Sequence, residues 1–594
     1  MIKIHSFADT PYYYPHPSWT SFYLTSSVMK QTANSLYFLY FIFCLVLPTG
    51  CKRDITPSPE AISDIDLKRG DIVMCNTSGK PFGTVDFITS CSPKTKKEFD
   101  LAVALLHSFE YDEAEKVFAK IIDMEPGCAM AYWGVAMSNY HQVWPSPPSQ
   151  AELEKGNKAI TIAQSLPNVS KKEADYINAI ALFYKDWATT DHRTRNRNFV
   201  KAMEGVYNTY PNETEVGILY ALALIGSADL ADKTFANQKK AGAILNGLYP
   251  GEPDHPGIVH YIIHSYDSPE LAHMALPAAR KYASIAPASA HAQHMPSHIF
   301  TRLGLWDESI QSNLTSIESA VCYAENAGIK GHWDEELHGM DYLVYAYLQK
   351  GENDLAKKQI DYLKSIEDVY PSNFKVAYAY AAIPARFLLE NRMWKEAAAL
   401  EIFPDDFPWA KFPWQKAIFH FARLMGAARM NQSDAARTDL KILTTLYDTL
   451  IAQKDTYKAN QVFIQMKSGE AWITLAEGKP DVALDLMKTA ADMEDLTEKS
   501  SVTPGEVLPA KELLGDMLLQ INKPAEAVLA FEEDLKKHPN RFNGIYGAAV
   551  ACEKSLQSEK AINYYRQLIS VANPSQSNRP EIAMAEKFLK LNTN

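Results

Sequence analysis

The sequence lacks the short motifs that identify most enzyme classes. It contains no H-E-x-x-H, no G-x-S-x-G, no P-loop and no G-x-G-x-x-G after a predicted strand. None of its seven cysteines forms a C-x-x-C pair, so neither a zinc ribbon nor a thioredoxin-like motif is indicated. Its net charge of −12 provides no basic surface for nucleic acid. Any function must therefore be argued from other features.

The sequence also lacks an apolar run long enough to span a bilayer. Residues 36–47 are twelve apolar residues in a row, a length typical of a signal-peptide core. The residues before this run are unusual for a signal peptide, and Met29 followed by lysine is the better predicted start. The run ends in L-P-T-G-C, which resembles a bacterial lipobox with Cys51 as the lipidated residue. The alternative is an ordinary cleaved signal with a chance cysteine.

Strand signals are scarce, and after Phe99 apolar residues recur at three- and four-residue spacing, which predicts helices. The tetratricopeptide repeat has 34 residues, with small residues at positions 8 and 20, an aromatic residue at 24 and proline at 32. A frame that starts at Leu508 meets this pattern, and frames from Thr95 and Phe542 fit it closely. The sequence predicts an all-α, tetratricopeptide-type helical-hairpin solenoid that is superhelical. In the Leu508 frame the matching residues are Gly515, Ala527, Phe531 and Pro539.

Composition and repeat spacing divide the chain into six predicted parts. They are a leader at 1–51, a tether with an irregular cap at 52–94, N-terminal repeats at 95–250, histidine-rich repeats at 251–370, degenerate helical repeats at 371–503 and C-terminal repeats at 504–594. In the cap, Cys75 and Cys91 are disulfide candidates if the compartment is oxidising. Two free thiols are the alternative, because spacing alone does not separate the two cases.

Histidine is concentrated in the second group of repeats, at 251–370. Nine of the sixteen histidines lie between His255 and His338. Repeat frames that start at Pro256, Ala290 and Leu337 place these side chains at positions 2, 5 and 9 of the first helices, which line the concave surface of such arrays. Position 5 holds His260, His294 and Asp341; position 9 holds His264, His298 and Tyr345; position 2 holds His291 and His338.

Imidazoles that converge from neighbouring helices suit a transition metal such as zinc, iron, copper or nickel. The predicted ligand set for one ion is His260, His264, His294 and His298. Additional candidates are His255, which is either a helix cap or a ligand, and His291, His338 and Asp341. His273 is expected to be structural, and His332 is expected in a connecting loop. The alternative is a hydrogen-bonded network that shapes a peptide groove or forms a pH-sensitive surface.

Several segments resemble a family of bacterial tetratricopeptide repeat proteins, many of them of unassigned activity. The most specific are D-H-P-G-I-V-H-Y-I-I-H at 254–264 and H-A-Q-H-M-P-S-H-I-F at 291–300; 128–134 and 509–516 also match. The chain departs from the family at Glu110, where relatives tend to have an aromatic residue. The resemblance implies the repeat fold from about residue 85 onward and implies no settled reaction.

Two functions remain open at this point. The first is an exported scaffold, anchored by lipid to the outer membrane or to the periplasmic face of a bacterial membrane. It would bind a protein or peptide partner in its concave groove and would serve an uptake or degradation system. It would contact the membrane only through the lipid. The alternative is a metal-dependent hydrolase or oxidoreductase, with Asp267, Glu335, Glu336 and Asp341 as nearby carboxylates.

Overall fold

The computed structural model describes residues 56–75, 80–141, 143, 147–229, 232–497 and 502–592. The predicted leader, with Met29 and Cys51, lies outside these residues. The described part folds as an all-α array of helical hairpins, as predicted. Within it, no helix is both long enough and apolar enough to cross a bilayer.

The N-terminal half begins with a short helix and then runs as consecutive α-helices. A 3₁₀ turn at Pro93–Thr95 precedes the first long hairpin. The helices are α1 Pro59–Ser63, α2 Lys96–His107, α3 Tyr111–Met124, α4 Ala129–Ser138, α5 Gln150–Ser165, α6 Lys171–Tyr184, α7 His192–Thr209, α8 Thr214–Gly226, α9 Ala236–Leu248, α10 Pro256–Tyr266, α11 Ala272–Ile285, α12 Ala290–His294, α13 Pro296–Leu303 and α14 Trp306–Ala327.

The C-terminal half continues the same pattern, with a second 3₁₀ turn at Trp409–Lys411. Two short strands, β1 His332–Trp333 and β2 Val369–Tyr370, pair in parallel. The helices are α15 Asp334–Gln349, α16 Asn353–Ser365, α17 Phe374–Glu390, α18 Trp394–Ala398, α19 Pro413–Arg429, α20 Ser433–Ala452, α21 Thr456–Ala476, α22 Pro480–Asp495, α23 Ala510–Gln520, α24 Pro524–Lys537, α25 Phe542–Lys554, α26 Ser558–Val571 and α27 Pro580–Asn592.

The small and aromatic repeat positions meet as the repeat pattern requires. A Cβ added at Gly515 would lie 2.6 Å from the ring of Phe531, and one at Gly134 would lie 2.2 Å from Phe118. Each aromatic ring therefore occupies the space that a larger side chain would need. This close approach explains why small residues recur in the frame.

Local capping also follows the sequence. Ser149 and Ser170 each begin a helix with a capping box, because each hydroxyl accepts from the backbone N–H of a glutamate three residues later. That glutamate in turn accepts from the backbone N–H of the serine. Both boxes satisfy amide groups that the first helical turn leaves without partners.

The predicted disulfide between Cys75 and Cys91 is wrong. Cys91 pairs with Cys128, which precedes α4, and Cys75 pairs with Cys322 on α14, 247 residues away. Each pair is joined by packing between segments that are far apart in sequence. Cys552 is a buried free cysteine.

The C-terminal repeats pack against α15 and α17. Arg541 donates to the Tyr345 hydroxyl at 3.2 Å, and the Arg386 guanidinium donates to the Gly505 carbonyl at 2.8 Å. Tyr345, which was predicted to line a concave surface, is 2% exposed. The chain's own segments therefore cover this face of α15.

A buried ion cluster holds the segment that contains Gly505. The two ring nitrogens of His538 contact carboxylate oxygens of Asp534 and Glu506, each at 2.9 Å. Burial opposes protonation of His538, but the two carboxylates outweigh it and raise the pKa of the imidazole well above its ordinary 6.5. A charged His538 thus ties residues 502–509 to the end of α24.

Candidate metal centre

The histidine-rich helices begin where the repeat frame predicts. Pro256 is the first residue of α10, where its missing N–H costs no helical hydrogen bond. Ser289 caps α12 by accepting from the backbone N–H of Ala292 at 3.1 Å. Pro296 begins α13 directly after α12, so His294 and His298 belong to two short consecutive helices.

The first triad consists of His260 and His264 on α10 and His291 on α12. The Nε2 atom of His260 lies 3.1 Å from Nε2 of His264 and 3.2 Å from Nε2 of His291. One ligand atom from each ring lies within 4.8 Å of the others. Three imidazole nitrogens therefore converge on one point.

The second triad consists of His294 on α12, His298 on α13 and His338 on α15. Nε2 of His294 lies 3.0 Å from Nε2 of His298, and the His338 ring centroid is 4.2 Å from that of His294. This group also places one ligand atom per residue within 4.8 Å. The four predicted ligands thus divide between two sites, and His291 and His338 complete them.

Hydrogen bonds at Nδ1 orient His260 and His294. Nδ1 of His260 donates to the His107 carbonyl at 2.6 Å, and Nδ1 of His294 donates to Oδ1 of Asn313 at 2.7 Å. The Asn313 amide is fixed in this orientation because its Nδ2 donates to the Ser309 carbonyl at 2.8 Å. Both imidazoles therefore carry a proton on Nδ1 and direct Nε2 into their triad.

A carboxylate orients His298. Its Nδ1 donates to Oδ2 of Asp267 at 3.1 Å, while Nε of Arg302 donates to Oδ1 of the same carboxylate at 2.9 Å. Arg302 also donates to the Asp267 carbonyl at 3.1 Å. A carboxylate behind a histidine is the usual outer partner of a metal ligand, since it fixes the ring and makes the other nitrogen more basic.

These hydrogen bonds bring two lone pairs together in the second triad. When both rings are neutral, His294 and His298 have their proton on Nδ1, and their Nε2 atoms, 3.0 Å apart, each carry a lone pair. Two lone pairs repel at this distance unless a proton or a metal ion lies between them. Around a tetrahedral ion with metal–nitrogen bonds of about 2.0–2.1 Å, ligand nitrogens are about 3.3–3.4 Å apart. The observed spacing is close to this value.

Burial keeps two imidazoles of the first triad, His260 and His291, neutral. Burial is the main cause that holds the pKa of His260 and His291 well below 6.5, and neighbouring histidines add to it. Of the six triad residues, five are at most 4% exposed and His264 is half-buried. The repeat positions assigned to the concave surface are therefore largely buried, and the two triads form a buried centre.

Aromatic rings enclose the centre. Phe109 stacks on His264 and His291 with centroid distances of 5.5 and 5.4 Å and packs its face against the edge of His260 at 4.4 Å. Its φ of 60° is a left-handed conformation that is unfavourable for a bulky residue. Tyr342 stacks on His298 at 4.9 Å. Strain at Phe109 is retained where its ring covers the first triad.

A third cluster supports the first triad. Glu215 accepts from Nε2 of His107 and Nε2 of His255, each at 3.0 Å, and Nδ1 of His107 contacts the Tyr261 hydroxyl at 3.0 Å. His255 therefore belongs to this network and to neither triad, and its side chain does not cap α10. The network positions the His107 carbonyl that orients His260.

Three of the four predicted carboxylates are bound elsewhere. Asp341 pairs with Arg386, which is fully buried, so its prediction as a ligand is wrong. Glu335 pairs with Lys375, and Glu336 accepts from His332 and from Tyr362. Asp267 contacts a triad histidine, His298, through Nδ1.

The two remaining histidines of the cluster lie outside both triads. His273 is on the second helix of its hairpin, as predicted, but it is exposed, which does not fit the expected structural role. His332 lies in β1, within the connection between α14 and α15. Sequence reasoning missed His107, Asn313 and the role of Phe109, because no repeat position links them to the triads.

No protein-family model matches the chain, and no curated protein sequence matches it. Similar solved structures include yeast Tom70, at 12% identity over 84% of this chain and 96% of that chain, with a TM-score of 0.31. The P58(IPK) TPR domain has 16% identity over 64% and 98%, with a TM-score of 0.19. The APC/C hetero-tetramer Cut9–Hcn1 has 13% identity over 85% and 97%, with a TM-score of 0.26. Similarities at this level assign no activity or partner to this chain.

Proposed function

We propose that this chain is a transition-metal-dependent protein and that the two triads form its reactive centre. The observation that carries the proposal is the pair of Nε2 atoms of His294 and His298, 3.0 Å apart with both Nδ1 protons committed to acceptors. A bound cation relieves the repulsion between the lone pairs. The hydrogen bonds at Nδ1 of His294 and His298 would hold both rings in place before a metal binds.

The choice of ligand supports zinc, copper, nickel or iron over magnesium or calcium. Each triad offers three imidazole nitrogens, and hard cations prefer oxygen ligands. Three histidines leave at least one position open on a four-coordinate ion, which is the arrangement of catalytic and not of purely structural sites. The chemistry open to such an ion is activation of a bound water or redox exchange.

The test is elemental analysis of the full-length chain, as purified and again after chelator treatment and reloading. His294→Ala and His260→Ala are expected to lose metal, one from each triad. His273→Ala is the matched control, because this histidine is exposed and lies in neither triad. Circular dichroism checks that each variant is folded. If no metal binds under either condition, or if both triad variants keep their full content, the proposal is wrong.

A partner-binding scaffold is the second proposed function, and the array of helical hairpins supports it. Because segments 502–509 and α25 cover α15, a protein or peptide partner would need another face of the repeats. Crosslinking in cells, followed by identification of the crosslinked partner and its mapped contact helices, tests this role. A chain that crosslinks to nothing would contradict it.

We also propose that the chain is exported and anchored by lipid at Cys51, as part of an envelope uptake or degradation system. The apolar run at 36–47 and the lipobox-like residues after it support the anchor. The disulfides Cys75–Cys322 and Cys91–Cys128 support an oxidising compartment. Cys51→Ser is expected to release the protein from membranes, whereas continued membrane retention would contradict the anchor.

A further inference from the structure

We infer that the two triads hold one coupled pair of copper ions, and that the pair binds dioxygen in its reduced, copper(I) state. This inference rests on the metal binding proposed above. It adds the number of ions, their identity and the class of ligand that they take.

The two sites are neighbours. His291 of the first triad and His294 of the second lie three residues apart on α12, on the same face of the helix. The rings of His264 and His298, one from each triad, have centroids 6.5 Å apart. Ions bound by both triads would therefore lie side by side, with no helix between them.

The charge of the ligands favours monovalent ions. Neither triad contains a carboxylate, and Asp267, which contacts His298, is also paired with Arg302. Two divalent ions repel each other about four times as strongly as two monovalent ions at the same distance, and a buried site screens this repulsion poorly. A pair that only neutral imidazoles hold is therefore best suited to monovalent ions. Among metals that bind imidazole, copper has an accessible monovalent state and the tightest divalent binding.

Oxidation of the pair requires an anion between the ions, and dioxygen supplies it. Each copper(I) gives one electron and becomes copper(II), and dioxygen accepts both electrons to become a peroxide dianion. One copper–oxygen bond forms at each ion, the O–O π bond is lost, and the O–O σ bond is kept. No proton or further reductant is needed. The aromatic enclosure by Phe109 and Tyr342 limits water, which would otherwise release the peroxide.

The experiment loads the full-length chain with copper(I) under anaerobic conditions and then admits air. The expected result is two copper ions per chain and one dioxygen consumed for every two copper ions. A new charge-transfer absorption is expected, with no copper(II) signal in electron paramagnetic resonance because the two spins couple.

Variants of single triads make the test sharper. His338→Ala and His264→Ala each disable one triad, so each is expected to bind one copper ion and, after oxidation, to show the resonance signal of an isolated copper(II). His273→Ala is the control and is expected to keep two ions and the silent spectrum. A signal that appears only in the triad variants distinguishes coupling from mere binding.

Failure of this inference and failure of the proposed metal binding give different results. If the chain binds zinc at both triads but takes up no copper(I), or if its oxidised copper gives a full resonance signal, this inference is overturned while metal binding stands. One dioxygen per copper, or no dioxygen uptake, also overturns it. If neither metal binds, the proposed function itself is wrong.

Discussion

Asp267→Asn tests the orientation of the second triad most directly. The carboxylate accepts from Nδ1 of His298 at 3.1 Å and from Arg302 at 2.9 Å, and its side chain is 6% exposed. Asparagine keeps the shape but removes the charge. The amide accepts less strongly through its oxygen, and its nitrogen would face the Nδ1 proton if the side chain turned.

Two lines of reasoning give the same magnitude for the loss of metal-binding free energy at the second triad in Asp267→Asn. A hydrogen bond to a charged group contributes about 1.5–3 kcal/mol. Removal of an outer partner of a metal-bound histidine typically lowers metal affinity about 10- to 100-fold, which equals about 1.4–2.7 kcal/mol. We therefore expect the affinity of the second triad to fall by this factor. The first triad should keep its affinity, because its orienting acceptor is the His107 carbonyl.

The assay is a competition titration against a chelator of known affinity, and two binding steps are expected for the wild-type chain, one per triad. Asp361→Asn is the matched control, since this carboxylate is 59% exposed on α16 and pairs with Lys357 one turn away. An unchanged second step in Asp267→Asn, or an equal loss in both steps, would refute the reasoning.

Three further predictions concern stability and access. His538→Gln should lower the free energy of unfolding most below pH 6.5, where the imidazole is charged. The difference in unfolding free energy between variant and wild type should vanish as the pH rises through the raised pKa of the folded-state imidazole. A difference that is constant with pH would contradict this. Cys322→Ser removes the 247-residue link to Cys75 and should cost about 2–5 kcal/mol, so an unchanged denaturation midpoint would count against the bond. Phe109→Gly suits the backbone φ of 60° but removes the ring over His264. Metal is therefore expected to leave the first triad faster in a chelator chase. A release rate equal to that of the wild-type chain would argue against a covering role.

Local rules predicted the helical array correctly. Capping boxes at Ser149 and Ser170, the proline at the start of α10 and the Gly515–Phe531 contact each depend on residues within one hairpin. Such short-range features are readable because helix geometry fixes which residues face each other. The same geometry correctly placed His260 and His264 on one face of α10.

Contacts between distant residues could not be read in this way. Cys75 pairs with Cys322, and Asp341, a predicted ligand, pairs with Arg386 instead. The carbonyl of His107 orients His260, which is 153 residues away in sequence. Each of these depends on how far α2, α14 and α17 lie from α10 and α15 after packing. Repeat spacing contains no information on that distance.

The sequence by itself determined that this chain forms helical hairpins and that its histidines gather on the first helices of three consecutive repeats. Only the tertiary structure decided that these side chains are buried and that they divide into two triads, with their Nδ1 atoms held by a carbonyl, an amide and a carboxylate. The physical reason is that helical periodicity sets the direction of a side chain, whereas the helices packed around it set its partners and its exposure to water.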